Sequence, residues 1–397
     1  MAGPKDYLPQ LSLAERDRRY ATVRAGMKER GFDALLAPAN TGRWEQLQAD
    51  ARYLSQIGGN ATEPFVALPL EGEPTAWVMN RAGWWKRAHD WISDVRDGRN
   101  AYAKTVGDWI AERGYERARI GVAGLAGLSR SPDGIVPYGT LTGLKEHFPE
   151  ARFENATDLM LKARTRKSAE EIAFLEKSAG LIALGIQTMA EVARPGVAEC
   201  EVYAAVWHTM IGNGGEGPAL YFLSAGPNLA GSAFVPTTRP LEAGDTILNE
   251  IEVKYGGYAA QGAQPMFIGE PTPRQRELYG TALRAFERVL GEMGPGVKMG
   301  HLMDTYQAVV AETPFHWGHP LLHARGLGDD VPVLLGDADL ERYRSTPLEE
   351  GMVFILKPHT ADPETGGRMT VGDTVCVTDT GARRLSTRSM EPIVSKG

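Results

Sequence analysis

Hydrophobic and polar positions alternate between helical and extended patterns over the first 160 residues. The segment LAERDRRYATVRAGMKERG carries apolar residues at helical spacing and ends at Gly31, and the short apolar run DALLAPA follows it. Further along, FVALPL and PTAWVM flank the turn-forming sequence EGEP, which is typical of a β-hairpin. This alternation predicts an α/β domain with a mixed sheet over residues 1–160.

A second pattern begins at residue 161. A basic connector leads into Ser168, a predicted helix N-cap with Glu171 three residues later, and a long amphipathic helix then ends near Pro195. Later helical patterns are ECEVYAAVWHTMIGNGG, RQRELYGTALRAFERVLGEM and MGHLMDTYQAVVAET, and β-rich segments include EEGMVFILKPHT and DTVCVTDTGARRL. Helices beside antiparallel strands predict the α+β class for residues 161–397.

Composition and charge narrow the classes of partner. The chain has 397 residues and a hydrophobic content of 43%, which is enough for two cores. Its net charge of −7 offers no basic surface for phosphates, so we expect a small-molecule partner and no nucleic acid. The sequence lacks a signal-peptide pattern and an uncharged apolar run of membrane-spanning length, which predicts a cytoplasmic protein without a membrane partner. Cys200 and Cys376 lack metal-binding spacing and are predicted to be packed thiols.

One predicted hairpin concentrates acidic and amide side chains. Glu250 and Glu252 are two residues apart on a strand and therefore share a face. Gln261 lies on the returning strand, beyond a Gly-Gly-Tyr turn. Carboxylates grouped in this way can orient water or a substrate, or bind a cation. The hairpin is therefore the first candidate for a chemical site.

Five sequence landmarks along the C-terminal part resemble a known superfamily. They are KSAEEIAFLEKSA, RPLEAGDTILNEIEVKYGGYAAQ, HARGLGDDVP, LEEGMVFILKP and GDTVCVTDTGARRLS. In this order they resemble the creatinase, aminopeptidase P and methionine aminopeptidase superfamily, whose catalytic domain has the pita-bread fold. The N-terminal part resembles the smaller domain of the creatinase and aminopeptidase P branch. The resemblance implies an α+β pita-bread domain over residues 161–397, preceded by a smaller creatinase-type α/β domain, and a homodimer.

The resemblance also implies where metal ligands would lie. In metal-dependent relatives, five side chains hold two divalent cations: two aspartates on the hairpin, one histidine, and two glutamates on the final strands. The matching positions in this sequence are Glu250, Gln261, His323, Lys357 and Gly372. Gln261 is neutral and Gly372 has no side chain, so two anionic ligands are missing.

Lys357 argues against a divalent cation at this position. At about 4 Å, two like unit charges repel by about 4 kcal/mol at an effective dielectric constant near 20, and a dication roughly doubles this value. Glu250 and His323 are the two suitable ligand types that remain from the set of five. We therefore predict that the protein uses no catalytic metal and no other cofactor.

The remaining polar residues have two collective interpretations. In the first, Lys357 pairs with Glu250 in the space of the lost cation, and the pocket is a metal-free active site. Glu250 or Glu252 then orients water or substrate, His323 moves the proton, and Lys357 stabilises developing negative charge. In the second interpretation the Lys357–Glu250 pair is structural, because a buried charge needs a partner.

Further residues are candidates for substrate binding: Gln261, Arg325, Asp330, His359 and Trp44. Arg325 lies in a glycine-flanked loop, and its planar guanidinium suits a substrate carboxylate; a surface salt bridge is the alternative. Asp330 is alternatively part of a solvated turn. Trp44 belongs to a segment that, by resemblance to creatinase-like dimers, reaches the pocket of the partner subunit; ordinary loop packing is the alternative.

The leading hypothesis is a metal-independent, creatinase- or aminopeptidase P-like enzyme that hydrolyses a C–N bond in a small polar, amino-acid-like compound. One alternative is a lyase acting on a small zwitterionic substrate, because HARGLGDD is similar to the H-G-x-G-L-x-D loop of a superfamily branch that cleaves dimethylsulfoniopropionate. The other alternative is a catalytically silent protein that binds a ligand or partner. Such a protein would resemble the eukaryotic pita-bread domains of chromatin and growth-regulating factors.

Overall fold

The computed structural model describes residues 4–38, 48–59, 62–99, 101–127, 131–217, 220–232 and 235–395. Trp44, a predicted substrate-binding residue, therefore lies outside the described residues. The chain divides into two units, Met1–Arg164 with Leu327–Asp329, and Thr165–Gly326 with Asp330–Gly397. We refer to them as the N-terminal and C-terminal units.

A mixed sheet is the centre of the N-terminal unit. Its strands are β1 (Ala34–Ala37), β2 (Phe65–Pro69), β3 (Thr75–Val78), β4 (Asp94–Asp97), β5 (Arg119–Val122) and β6 (Arg152–Asn155). Their spatial order is β4-β3-β2-β1-β5-β6. The helices of this unit are α1 (Leu13–Arg30), α2 (Ala49–Ser55), α3 (Ala82–Ala88), α4 (Tyr102–Glu112), α5 (Tyr138–His147) and α6 (Thr157–Thr165).

Local sequence signals account for this architecture. Helix α1 begins after Ser12, whose Oγ accepts a hydrogen bond from the Glu15 amide at 3.1 Å, and ends at Gly31, which has φ of 67°. Strands β2 and β3 form the antiparallel hairpin predicted around EGEP. Strand β1 pairs antiparallel with β2 and parallel with β5, so the sheet is mixed and the predicted α/β class is confirmed.

The C-terminal unit combines helices with several short antiparallel ladders. Its helices are α7 (Ala169–Val192), α8 (Glu199–Gly212), α9 (Pro273–Glu292), α10 (Met299–Ala311) and α11 (Asp337–Tyr343). Its strands are β7 (Tyr221–Gly226), β8 (Thr246–Tyr255), β9 (Tyr258–Gly262), β10 (Met266–Phe267), β11 (His316–Gly318), β12 (Leu322–Arg325), β13 (Asp329–Leu334), β14 (Val353–Leu356), β15 (His359–Ala361), β16 (Arg368–Thr370), β17 (Asp373–Val377), β18 (Ala382–Arg384) and β19 (Ile393–Val394). The predicted α+β class is confirmed.

Helix α7 holds the β8-β9 hairpin in place. The helix begins with the predicted capping box, in which the Ser168 Oγ accepts from the Glu171 amide and the Glu171 carboxylate accepts from the Ser168 amide. In the middle of the helix, the Ser178 hydroxyl donates to the Val253 carbonyl at 2.7 Å and accepts from the Ala260 amide at 2.8 Å. One buried serine thus connects the helix to both strands of the hairpin.

The same helix is long and apolar enough, by length and composition alone, to cross a membrane. In the described structure, 44% of its most apolar window is buried inside the protein. Core helices of soluble proteins meet the same criteria, so this property is weak support for a membrane span.

Candidate active site

The β8-β9 hairpin brings three of the predicted site residues together. Tyr255 pairs with Tyr258 across a two-glycine turn whose φ angles are both positive, a conformation that glycine adopts without steric cost. The same register places Glu252 opposite Gln261. Gln261 Nε2 donates to Glu252 Oε1 at 3.0 Å and lies 3.5 Å from Glu250 Oε2. The predicted common face of the two glutamates is confirmed.

Lys357 points at the hairpin. Its Nζ donates to Glu250 Oε2 at 2.6 Å, which confirms the predicted pair. The lysine side chain is 4% exposed and the glutamate side chain is 16% exposed, so the ammonium lies behind the carboxylate. The lysine follows β14 directly, and its amide donates to the Leu321 carbonyl at 2.8 Å. Backbone pairing of this kind restricts where the side chain can reach.

Gly372 is required by a close approach of the backbone. A Cβ atom at this position would lie 2.6 Å from the Lys357 Cβ and 2.9 Å from the Leu356 carbonyl oxygen. Both distances are shorter than real Cβ contacts, so residue 372 cannot carry a side chain in this arrangement. The glycine also exchanges two hydrogen bonds with Ala263, at 3.0 Å and 2.9 Å, which join β17 to the end of the hairpin.

The donor set does not fit a pair of divalent cations. Lys357 brings a positive charge to Glu250, Gln261 turns its amide nitrogen toward the carboxylates, and Gly372 leaves no space for a ligand side chain. Among the described residues, no group of three or more His, Cys, Asp or Glu side chains is arranged to hold a metal ion. Divalent cations need several oxygen or imidazole donors at about 2 Å, which this arrangement does not supply.

Arg325 forms a buried ion pair with the second hairpin glutamate. Its Nη2 lies 2.5 Å from Glu252 Oε2, and the two side chains are 1% and 2% exposed. The surface salt bridge considered for Arg325 is therefore wrong, because Arg325 is the last residue of the buried strand β12 and its side chain is inaccessible to solvent. The predicted contact of Arg325 with a substrate carboxylate stays a prediction, although the guanidinium already binds a carboxylate of the protein.

Asp330 is also buried. Its Oδ2 accepts from Lys167 Nζ at 2.8 Å, and both side chains are nearly inaccessible to solvent. The solvated turn considered for Asp330 is therefore wrong, because a lysine 163 residues earlier in the chain supplies its counter-ion. This ion pair connects the start of α7 to β13 and has the character of a structural contact.

Two of the predicted site residues, His323 and His359, are buried histidines. His323 lies on β12 and is outside the described lining of the cavity next to Glu250. His359 Nδ1 accepts from the Thr370 hydroxyl at 2.6 Å and from Arg368 Nε at 3.0 Å. Burial, and then the positive charges of Arg368 and Lys357, hold the pKa of His359 well below its ordinary value. His359 is consequently a neutral acceptor.

A cavity of about 150 Å³ opens beside Glu250. Its apolar walls include Phe222, Leu248 and Pro265, and its polar lining includes Ser232, Asn249, Glu250, Arg368 and Thr370. Burial lowers the pKa of the Arg368 guanidinium, and the Glu250 carboxylate acts in the opposite direction. The cavity therefore has a carboxylate and a guanidinium on its walls.

Sequence reasoning missed Ser232, Arg368 and Thr370. One available signal was the polar-apolar-polar alternation of RMT in β16, which places Arg368 and Thr370 on one face of the strand. A second was the pairing of β15 with β16, which puts Thr370 opposite His359. An isolated arginine without a motif offered no reason to connect it with Glu250.

Two family models match the chain. Residues 173–379 match the metallopeptidase family M24, and residues 19–166 match the creatinase/prolidase N-terminal domain. The Xaa-Pro dipeptidase of Pyrococcus furiosus is 27% identical over 260 residues, which cover 65% of this chain and 74% of the relative.

Solved structures show the same fold at lower identity. The prolidase from Pyrococcus horikoshii OT3 superimposes with a TM-score of 0.77 at 22% identity, and the X-Pro aminopeptidase from Thermotoga maritima MSB8 with a TM-score of 0.79 at 20% identity. Each match covers 94% of this chain and 99% of the other. The predicted superfamily and its pita-bread fold are thus confirmed. Because the first family match covers more than half of the sequence, the chain belongs to the metallopeptidase family M24.

Proposed function

We propose that this protein is a metal-independent hydrolase that cleaves a C–N bond in a small polar, amino-acid-like compound. The observation that carries the proposal is the pair of Glu250 and Lys357, because it stands at the family's metal-ligand positions and its carboxylate faces a cavity. Membership of a peptidase family and similarity to Xaa-Pro dipeptidases support the reaction class. Neither a metal nor another cofactor is part of the proposed reaction.

Glu250 is the proposed general base. Its Oε2 is held by Lys357, whereas its Oε1 accepts no hydrogen bond from the residues that the structure describes. An ionised carboxylate has two oxygens that accept protons or hydrogen bonds, so Oε1 is suited to orient and deprotonate a water molecule in the cavity. General-base catalysis of this kind contributes about 10²- to 10⁴-fold to rate.

Lys357 has the proposed role of an electrostatic stabiliser. Water attack on an amide-like carbon builds negative charge on an oxygen, and Lys357, which does not itself line the cavity, stabilises such charge through space from its position beside Glu250. The lysine also orients Glu250 through their hydrogen bond of 2.6 Å. We propose that His323 takes part in proton transfer without contacting the substrate, since it does not line the cavity. Glu252 and Gln261 position Glu250 through their shared hydrogen bonds.

A silent binding protein is the second candidate. One observation favours it: the pair of Lys357 and Glu250, at 2.6 Å, meets the need of a buried ammonium for a counter-ion without any substrate. In that case Lys357 has only a structural role. Removing the lysine separates the two candidates, because an enzyme loses turnover while remaining folded, and a structural pair mainly loses stability.

The test uses the full chain after dialysis against a chelator, with bound metals measured by elemental analysis. The substrate panel contains Xaa-Pro dipeptides and N-acylated and N-amidino amino acids, and mass spectrometry detects the released amine. We expect cleavage of at least one panel compound by metal-free protein and its loss in Lys357→Met. Lys104→Met is the matched control, because Lys104 also pairs with a carboxylate but is exposed. Activity that requires a stoichiometric metal ion contradicts the proposal.

We further propose that the protein is a cytoplasmic homodimer. The proposal is supported by the resemblance of the chain to creatinase-like dimers. Multi-angle light scattering of the purified chain measures its mass directly. A monomer across the accessible concentration range contradicts the dimer.

A further inference from the structure

We propose that Arg368 binds a carboxylate of the ligand in the cavity beside Glu250, so that the substrate class is a small monocarboxylate. This inference rests on the proposed function, because it names the substrate group that the same cavity recognises. Arg368 and Glu250 both line the cavity. One residue would anchor the ligand and the other would act on it.

The guanidinium of Arg368 is oriented by the protein on one side only. Its Nε donates to His359 Nδ1 at 3.0 Å, and its Nη2 donates to the His319 carbonyl at 3.1 Å and also contacts the His359 ring. Its Nη1 donates to no residue in the part of the chain that the structure describes. Two fixed nitrogens thus set the plane of the group, and the third nitrogen has donors left for a ligand.

Charge on the cavity wall favours one negative charge in the ligand. Within the described residues, Glu250 and Arg368 are the charged side chains of the lining, and Lys357 already neutralises Glu250 from behind. His359 is a neutral acceptor and adds no charge. Arg368 takes part in no ion pair with a described residue, so the site carries one uncompensated positive charge. A monoanion neutralises it, whereas a dianion also meets the carboxylate of Glu250.

The size of the cavity agrees with a small ligand. About 150 Å³ holds on the order of ten water-sized groups, which corresponds to an amino-acid derivative and excludes a folded partner. Phe222 and Pro265 supply apolar wall, and Ser232 and Thr370 supply hydroxyls. Mixed lining with one charged anchor is typical of sites that bind small polar molecules.

Isothermal titration of the full-length protein tests the inference without any turnover. The probes are N-acetylglycine and N-acetylproline, each compared with its neutral primary amide, and inorganic phosphate and sulfate form a third arm. We expect the acids to bind more tightly than their amides by about 10-fold or more, since a charge-assisted hydrogen bond is lost in the amide. Equal binding of acid and amide, or no acid binding at millimolar concentration, overturns the inference. Tighter binding of phosphate or sulfate overturns it as well.

Variants of Arg368 test whether this residue causes the preference for acids over amides. Arg368→Gln should weaken acid binding by about 10- to 100-fold and leave amide binding unchanged, and Arg368→Lys should recover part of the loss. Arg383→Gln is the matched control, because Arg383 is exposed and pairs with Glu176 at the surface of the same unit. Circular dichroism establishes that each variant is folded. Unchanged acid binding in a folded Arg368→Gln protein refutes the role of this residue.

The result of the binding experiment can be distinguished from the result of the cleavage experiment that tests the proposed function. Arg368-dependent binding of carboxylates without cleavage of any panel compound rejects the hydrolase and keeps the ligand class. Cleavage by metal-free protein with no preference for acids over amides rejects the ligand class and keeps the hydrolase.

Discussion

Glu250 and Glu252 lie two residues apart on one strand face, and each has one cationic partner within 2.6 Å. They differ in how many of their oxygens the protein uses. Both carboxylate oxygens of Glu252 accept hydrogen bonds from the protein, Oε1 from Gln261 and Oε2 from Arg325. Glu250 has Oε2 bonded to Lys357, its Oε1 accepts no hydrogen bond from the described residues, and the residue lines the cavity. An ion pair alone therefore does not distinguish the two glutamates; the unused acceptor of Glu250 and its place at a cavity make it the candidate for catalysis.

The physical reason lies in the cost of burying charge. A carboxylate that loses water must regain its hydrogen bonds from the protein, and Glu252 does so completely. Glu250 keeps contact with the cavity, so a ligand or water molecule can complete its bonding. The same strand thus carries a structural carboxylate and a candidate catalytic one, and changes at Glu250, Arg325 and Gln261 measure the difference between them.

The largest effect is expected for activity in Glu250→Gln. The amide keeps the size of the side chain but cannot remove a proton, so kcat/KM for the panel compound that the wild-type protein cleaves should fall by about 10²- to 10⁴-fold. The thermal midpoint should also fall, because the buried Lys357 ammonium loses its counter-ion, so kcat/KM is compared at a temperature at which the variant is folded. Glu252→Gln is the matched control and should act mainly on stability. An equal loss of activity in a stable Glu252→Gln protein contradicts the division of roles.

Arg325→Met should cause the largest loss of stability. It leaves the Glu252 carboxylate buried without its cation, and breaking a buried pair in this way costs about 3–5 kcal/mol. Urea unfolding followed by circular dichroism measures the change. The double variant Arg325→Met with Glu252→Leu should recover most of the loss, because both charges are then removed. A single variant as stable as the wild type would show that the pair is not structural.

His89, a buried histidine in the N-terminal unit, tests how burial without an ion pair changes the stability of the protein with pH. Burial lowers the pKa of His89 from 6.5 to about 4, against a small opposite effect of Asp90. The unfolded chain therefore binds a proton between these pH values and the folded chain does not, so stability is full above pH 6.5 and falls as the pH decreases. At about pH 5 we expect a loss of about 2 kcal/mol, absent in His89→Gln.

Tryptophan fluorescence measures this pH effect in urea. Six of the eight tryptophans lie in the first 160 residues, so the signal reports mainly on the unit that contains His89. A pH dependence that persists unchanged in His89→Gln would assign it to other groups.

The smallest effect is expected for Gln261→Met. The amide nitrogen donates to Glu252 at 3.0 Å and lies 3.5 Å from Glu250. Its loss therefore weakens the hydrogen bonding of Glu252 more than that of Glu250. We expect a loss of about 1–2 kcal/mol in the free energy of unfolding, with a smaller change in kcat/KM than in Glu250→Gln. A larger effect on catalysis than on stability would place Gln261 in contact with the substrate.

Short-range signals predicted the hairpin, the long helices and their caps, because residue spacing determines these elements. The pair of Lys357 and Glu250 joins residues 107 positions apart and was predicted through the family resemblance, which aligned both positions with ligands of one site. The partners of Arg325 and Asp330 were not predicted, since burial of a charge depends on the packing of distant strands. Arg368 was missed for the same reason: its neighbours come from β15 and from the loop that contains His319.

The absence of a side chain at position 372 also limits which pairs of residues positions 357 and 372 can hold together. Replacing Lys357 by glutamate would restore one ligand type, but a second carboxylate at position 372 would still collide with the Cβ of residue 357 and with the Leu356 carbonyl. The two neighbouring strands would have to separate before that carboxylate could be accepted. A pair of carboxylates at positions 357 and 372 therefore requires movement of the backbone in addition to the two substitutions.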